Sequence, residues 1–220
     1  MVRKSNLLIV CLIAPLLLTG FSSSSSKCNP PKVLNCVKAN LYGAKLQGAK
    51  LQGANLSGAN LSGANLTRAN LTKANLDSAE LWSANLSGAN LSGANLSGAR
   101  LLCANLTGPK LSVANLSGSA SELRCANLSG ANLSGANLTR ANLTRANLTK
   151  ANLDSATVWG ANLSGANLFG ANLSGAKLDL ADLSGANLTG ADLTGVNLSG
   201  ANLSGANLRN AIMPDGTKHP

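Results

Sequence analysis

Aromatic residues are almost missing from this chain. Its 220 residues include five, Phe21, Tyr42, Trp82, Trp159 and Phe169, or 2%. An ordinary core of this size draws much of its buried area from such rings. The apolar 45% must therefore pack chiefly as Leu and Ala. Charge is scarce as well: 12% of residues are charged, about half the usual ~25%, which excludes a charge-rich disordered tail. One histidine, His219, lies beside the C-terminus. Acids such as Asp77, Glu80, Asp154, Asp179, Asp182 and Asp192 are scattered, so no convergent carboxylate pair for acid–base work is in view. These absences predict a chain that is not an enzyme and holds no cofactor or metal.

Long apolar runs are missing too, with one exception. Arg3 and Lys4 precede an apolar stretch from Leu7 to Leu18, and small residues then lead into the serine run Ser22 to Ser26. That order predicts a secretory signal peptide and cleavage region over residues 1–26. An uncleaved membrane anchor is the competing reading. No other stretch is long enough to span a bilayer, so no membrane span is expected after cleavage.

What the chain has in abundance is repetition. From Ala39 to Asn210 it returns every five residues to Ala-Asn-Leu-Ser/Thr-Gly, in 34 units. Leu holds the centre from Leu41 to Leu116 and again from Leu123 to Leu208, with Val158 the one substitute. The position two before the centre is Ala except at Pro109, Ser121 and Val196. Period five suits neither a helix, on which Leu would circle every face, nor one continuous strand, on which it would alternate sides. The pattern works only if the chain turns once per unit. Ala and Leu then point inward, Asn outward, and Ser-Gly makes the corner, where Gly admits the positive φ of a type II turn. Units with Arg68, Lys73, Arg140 or Lys150 at that place are expected to use a different turn.

Units such as Ala54-Asn55-Leu56-Ser57-Gly58 and Ala181-Asp182-Leu183-Ser184-Gly185 resemble the A(D/N)LXX motif of the pentapeptide-repeat family over about four-fifths of the chain. The resemblance implies an all-β fold: a right-handed quadrilateral parallel β-helix with four pentapeptides per coil and short parallel strands on four faces. It also implies a rod of about 8.5 coils, or roughly 41 Å at ~4.8 Å per coil. Such a solenoid is held by nearest-neighbour stacking, with outward Asn side chains able to form amide ladders. The expected organisation is an N-terminal cap over 27–38, the repeat over 39–210 and a C-terminal cap or tail over 211–220. The tail Met213-Pro214-Asp215-Gly216-Thr217 resembles endings of cyanobacterial members.

Leu116 and Leu123 are seven apart, not five, so two extra residues enter near 117–122. Cys103 and Cys125 flank this break, each two after a centre. With four units per coil they stack at one corner of successive coils, which makes a disulfide the expectation. Cys28 and Cys36 flank Pro30 and Pro31 and are expected to staple the N-terminal cap, hiding an open edge. Paired cysteines fit an oxidising compartment. Metal binding is the competing reading, and unpaired small apolar residues are the plain one.

The net charge of +10 suggests nucleic acid at first. Arg140, Arg145 and Lys150 occupy successive units, however, and so do Arg68 and Lys73, so each group rings a coil and lines no groove. Stacking aromatics are few, and Trp82 and Trp159 fall on different faces. Nucleic acid is therefore disfavoured. The segment Thr67 to Ala79 returns as Thr144 to Ala156, and each copy is followed by a Trp, Trp82 or Trp159. A duplicated segment explains this plainly; a two-site surface with those basic residues is the sharper reading. The family's known DNA-mimicking gyrase inhibitors need an acidic surface, which this chain lacks. The sequence predicts an exported, structural or protein-interaction rod in the periplasm or thylakoid lumen. Its partner is an unidentified protein, with an end-to-end homodimer also to be considered.

Overall fold

The computed structural model of the chain describes residues 34–118 and 121–220. The segment read as a signal peptide and Cys28 of the expected cap lie outside the described residues.

Parallel bridges join each unit to the one four units later. Asn40 pairs with Asn60, Asn60 with Glu80 and Glu80 with Arg100, always 20 residues on. Four pentapeptides therefore close one coil, and the bridges run in four columns, termed faces I to IV. Face I starts at Asn35, face III at Lys45 and face IV at Lys50. Face II runs through Asn40, Asn60, Glu80, Arg100, Glu122, Asn142, Asn162, Asp182 and Asn202. Among the described residues each contact is an isolated bridge, whereas the resemblance led to short strands. The turn uses two of every five residues, which leaves too little extended chain for a ladder.

Leu and Ala fill the interior. From Leu56 to Leu193 every Leu at a repeat centre has no measurable exposure, as does Val158. At about 1.5–3 kcal/mol for each fully buried Leu, this column is the main source of stability. Small Ala beside it lets four walls approach around one narrow core.

The backbone is satisfied pentad by pentad. In the unit centred on Leu61, Leu61 N–H donates to Glu80 O in the following coil (2.7 Å), and Asn60 N–H to Ala39 O in the preceding one (2.9 Å). Gly63 N–H donates to Trp82 O (2.8 Å), and Ala64 N–H closes the turn onto Leu61 O (3.0 Å). The one N–H left over, on Ser62, donates to Oδ1 of Asn60 (3.0 Å). Asn thus holds its place because its side chain accepts the donor that the coil-to-coil bonds cannot reach. Its amide also builds parts of the expected ladder, as in Asn75 to Asn55, Asn95 to Asn75 and Asn115 to Asn95 at 3.2–3.3 Å.

The basic corners correct one expectation. Arg68, Lys73, Arg140 and Lys150 have φ of 57°, 56°, 58° and 54°, beside 62° at Gly58. They adopt the same left-handed turn as glycine, because the coils on either side fix the corner more firmly than a Cβ resists it.

The break in register is absorbed at one corner. The bridge spacing becomes 22 for Arg100–Glu122, Asn105–Asn127, Lys110–Asn132 and Asn115–Asn137, and returns to 20 at Glu122–Asn142. Ser121 takes an Ala position at full burial. Its hydroxyl donates to Ser117 O (2.7 Å) and accepts from Gly98 N–H (3.0 Å). At the far end the tail folds back: Ile212 pairs antiparallel with Lys218. His219 N–H donates to Ala211 O (2.8 Å), and Asp215 accepts from the N–H and hydroxyl of Thr217.

Candidate interaction face

Each unit turns its corner through the two residues after its centre, so corner residues stack in columns like those of the faces. The corner leaving face II carries Trp82, Leu102 and Arg124 at its first position in three consecutive coils. At its second position stand Ser83, Cys103, Cys125 and Arg145, as the backbone bonds Ser83 N–Leu102 O, Cys103 N–Arg124 O and Cys125 N–Thr144 O show. Cys103 and Cys125 are disulfide-bonded, with Cα atoms 4.8 Å apart. Cys36 is also disulfide-bonded.

Beside this corner, face II holds a column of alternating charge, Glu80, Arg100 and Glu122. Arg124 pairs with Glu122 (Nε–Oε2 2.8 Å), the one ion pair among the described residues. Arg100 instead lays its guanidinium over the ring of Trp82, 5.7 Å from the centroid. Trp82, Arg100, Leu102, Glu122 and Arg124 line an open pocket of about 120 Å³. Trp82 is 45% exposed despite its stacking partner.

A second Arg–Trp stack lies at the corner entering face II, where Arg140 covers Trp159 at 4.9 Å. The quarter-turn between the two sequence copies therefore sets the tryptophans at the two corners that bound a single face. Arg145 stands in the Cys103–Cys125 column. The remaining basic residues do not join them: Arg68 and Lys150 share the corner leaving face III, and Lys73 lies at the corner leaving face IV. Sequence reasoning placed Glu80 only among scattered acids and missed Arg100, Leu102, Glu122 and Arg124. Writing the chain in rows of one coil brings all five into adjacent columns, which is the signal that finds them.

Among the described residues no three His, Cys, Asp or Glu side chains converge as metal ligands. No helix among them is long and apolar enough to cross a membrane.

The pentapeptide-repeat profile, in 8 copies, matches residues 39–77, 74–118, 121–160, 146–185 and 179–213. The chain belongs to the pentapeptide-repeat family. Membership makes the coiled stack a right-handed β-helical solenoid. Among solved pentapeptide-repeat structures, HetL is involved in heterocyst differentiation regulation and comes from the cyanobacterium Nostoc sp. strain PCC 7120. It is 37% identical, covers 84% of this chain and 92% of its own, and has a TM-score of 0.47. Rfr23 from the cyanobacterium Cyanothece 51142 is 36% identical over 50% of this chain and 87% of its own, with a TM-score of 0.46. A pentapeptide-repeat protein of the Arabidopsis thaliana thylakoid lumen is 29% identical over 50% and 69%, with a TM-score of 0.31. No curated protein matches the chain. In a pentapeptide-repeat rod whose surface is mostly Asn, Ser, Thr and Gly, the departures from the motif carry individuality. Face II and its two corners hold both tryptophans with their stacked arginines, the Cys103–Cys125 bond and the Arg124–Glu122 ion pair.

Proposed function

We propose that the chain is a non-enzymatic protein-interaction rod, and that it docks its partner on face II between the corners of Trp82 and Trp159. The convergence of two Arg–Trp stacks, a pocket and a disulfide-held corner on one face carries this reading. Tryptophan and arginine are among the side chains that dominate protein interfaces, and here Trp82 is exposed and Trp159 partly so. The rigid solenoid supplies a preformed surface, so little ordering entropy opposes docking. The proposal includes export to the periplasm or thylakoid lumen. The basic-apolar-serine order of residues 1–26 and the bonded cysteines support export. The lumen follows from the resemblance of the tail to cyanobacterial members.

End-to-end pairing of two chains is a further part of the proposal. In the last coil Leu198, Leu203 and Leu208 are only partly buried. Their backbone N–H groups have no backbone acceptor, which leaves an edge open to pairing. A DNA-mimicking gyrase inhibitor, the alternative reading, calls for an acidic surface, and the net charge of +10 points away from it.

Affinity capture from the native cells tests the main reading, with the wild-type chain compared against Trp82→Ala/Trp159→Ala. The double variant should lose the partners that the wild type retains; retention of the same partners at the same yield would refute it. Recovery of the chain from the cytoplasm with Met1 attached would refute export.

A further inference from the structure

We infer that the partner of face II is an acidic, extended polypeptide segment whose carboxylates are clamped by Arg100 and Arg140. The inference rests on the interaction-rod reading and adds the chemistry of the partner.

Arg100 is the telling residue. It stands in its column between Glu80 and Glu122, bridged to both through the backbone. Either carboxylate could have taken its guanidinium, yet neither forms an ion pair with it. The guanidinium carbon sits over the Trp82 ring at 5.7 Å from its centroid, as that of Arg140 sits over Trp159 at 4.9 Å. Among the described residues neither guanidinium has a hydrogen-bond or ion-pair acceptor, so its N–H edge is free. That edge carries the forked N–H donors that match a carboxylate in two-point contact. Both arginines are exposed at the surface. Held on their rings, they lose less freedom on binding than mobile side chains would.

The surrounding charge has the complementary sign. Over the four coils from Glu80 to Arg145 this region presents Arg100, Arg124, Arg140 and Arg145 against Glu80 and Glu122, and Arg124 already engages Glu122. Arg100 and Arg140 are two coils apart, roughly 10 Å along the axis at ~4.8 Å per coil. An extended peptide covers that rise in about three residues. Acidic residues three or four apart would meet both clamps, and an apolar side chain beside them would enter the pocket against Trp82 and Leu102.

Nucleic acid fits the same cations poorly. Its bases need open aromatic faces, and here each tryptophan already carries a guanidinium.

The test uses a fluorescein-labelled acidic peptide with glutamates about every third or fourth residue and one leucine, its binding read by anisotropy at low salt. Trp82 and Trp159 are the chain's two tryptophans, so intrinsic fluorescence reports contact at the clamps independently. Arg100→Gln/Arg140→Gln should weaken binding at least about tenfold and abolish the fluorescence change. Arg68→Gln/Lys73→Gln removes the same charge from other corners and should stay within about twofold. Arg100→Lys/Arg140→Lys keeps charge without the fork and should also weaken binding clearly. Equal losses in the two glutamine pairs, full binding by the lysine pair, or tighter binding of an oligonucleotide of equal charge would each overturn the inference. If the native partner is lost on Trp82→Ala/Trp159→Ala but kept by Arg100→Gln/Arg140→Gln, face II remains the docking surface and the acidic clamp is wrong. If the tryptophan variant keeps the partner, the interaction-rod reading itself fails.

Discussion

Cys103 and Cys125 are 22 residues apart in the chain and 4.8 Å apart between Cα atoms. They occupy the same corner of consecutive coils, and that corner differs from the other three. Elsewhere a side chain at the second corner position is followed, one coil on, by glycine. Crowding contributes at some of these corners: a left-handed corner residue leans over the next coil, so a Cβ on Gly58 would meet Lys38 Cγ at 3.2 Å and one on Gly135 would meet Val113 Cγ1 at 3.3 Å. In the Cys103–Cys125 column no glycine intervenes from Ser83 to Arg145, and the two side chains bond across the gap. Closing a loop of this length contributes about 3 kcal/mol by the chain-entropy account. Cys103→Ser/Cys125→Ser should lower chemical-denaturation stability by about that much; an unchanged midpoint and slope would contradict it.

The same crowding makes glycines at equivalent corners unequal. A Cβ on Gly200 would lie 2.7 Å from Leu180 Cδ2, whereas one on Gly190 meets nothing within 4 Å. Gly190→Ala should cost about 1 kcal/mol for the left-handed backbone alone. Gly200→Ala should cost slightly more, because the exposed Leu180 side chain must first turn away, and Leu180→Ala in that background should recover this small excess. Equal costs in thermal unfolding would contradict the steric account.

Ser121 makes a prediction that runs against the repeat. Alanine holds almost every equivalent position, yet Ser121→Ala should destabilise by about 1–3 kcal/mol. It removes the hydroxyl that joins Ser117 O to Gly98 N–H in a fully buried site. With Ser119 and Ala120 deleted as well, the pentad register is restored and the same substitution should be harmless. Equal ΔΔG in both backgrounds would refute the role given to the hydroxyl.

Much of this was legible because translation along a solenoid turns sequence position directly into spatial position. Once Leu41 to Leu208 is recognised as a period of five, burial of Leu and Ala follows from geometry. The stacking of Cys103 over Cys125 needed only the further fact of four units per coil. Two things escaped. The turn at Arg68 or Lys150 could not be read from residue preference, since the rest of the coil overrides it. Arg100 over Trp82 and Arg140 over Trp159 depend on where long side chains settle, and the charge column alone would have suggested ion pairs with Glu80 or Glu122. The role of Asn60 as acceptor for Ser62 N–H was visible in principle as an Asx-type turn.

Acid should act at named carboxylates. The Asp182 carboxyl is held below its ordinary 3.8, first by the Ser184 hydroxyl and then by the Ser184 N–H; desolvation opposes them, and the Asn202 amide adds the smallest lowering effect. A depressed folded-state pKa gives stability that is present above the unfolded value and lost as pH falls through the folded one. Stability should therefore decline below about pH 4. Asp182→Asn, which supplies the acceptor used in most other coils, should flatten that decline. An identical pH profile in urea midpoints would contradict the assignment.

Site-specific photo-cross-linking tests the central claim, that face II is the docking surface, most directly. A photoreactive residue at Leu102, in the pocket beside Trp82, should capture the partner in native cells. The same residue at Thr107, one corner further round the same coil, should not. Capture from Thr107 with none from Leu102 would contradict the account.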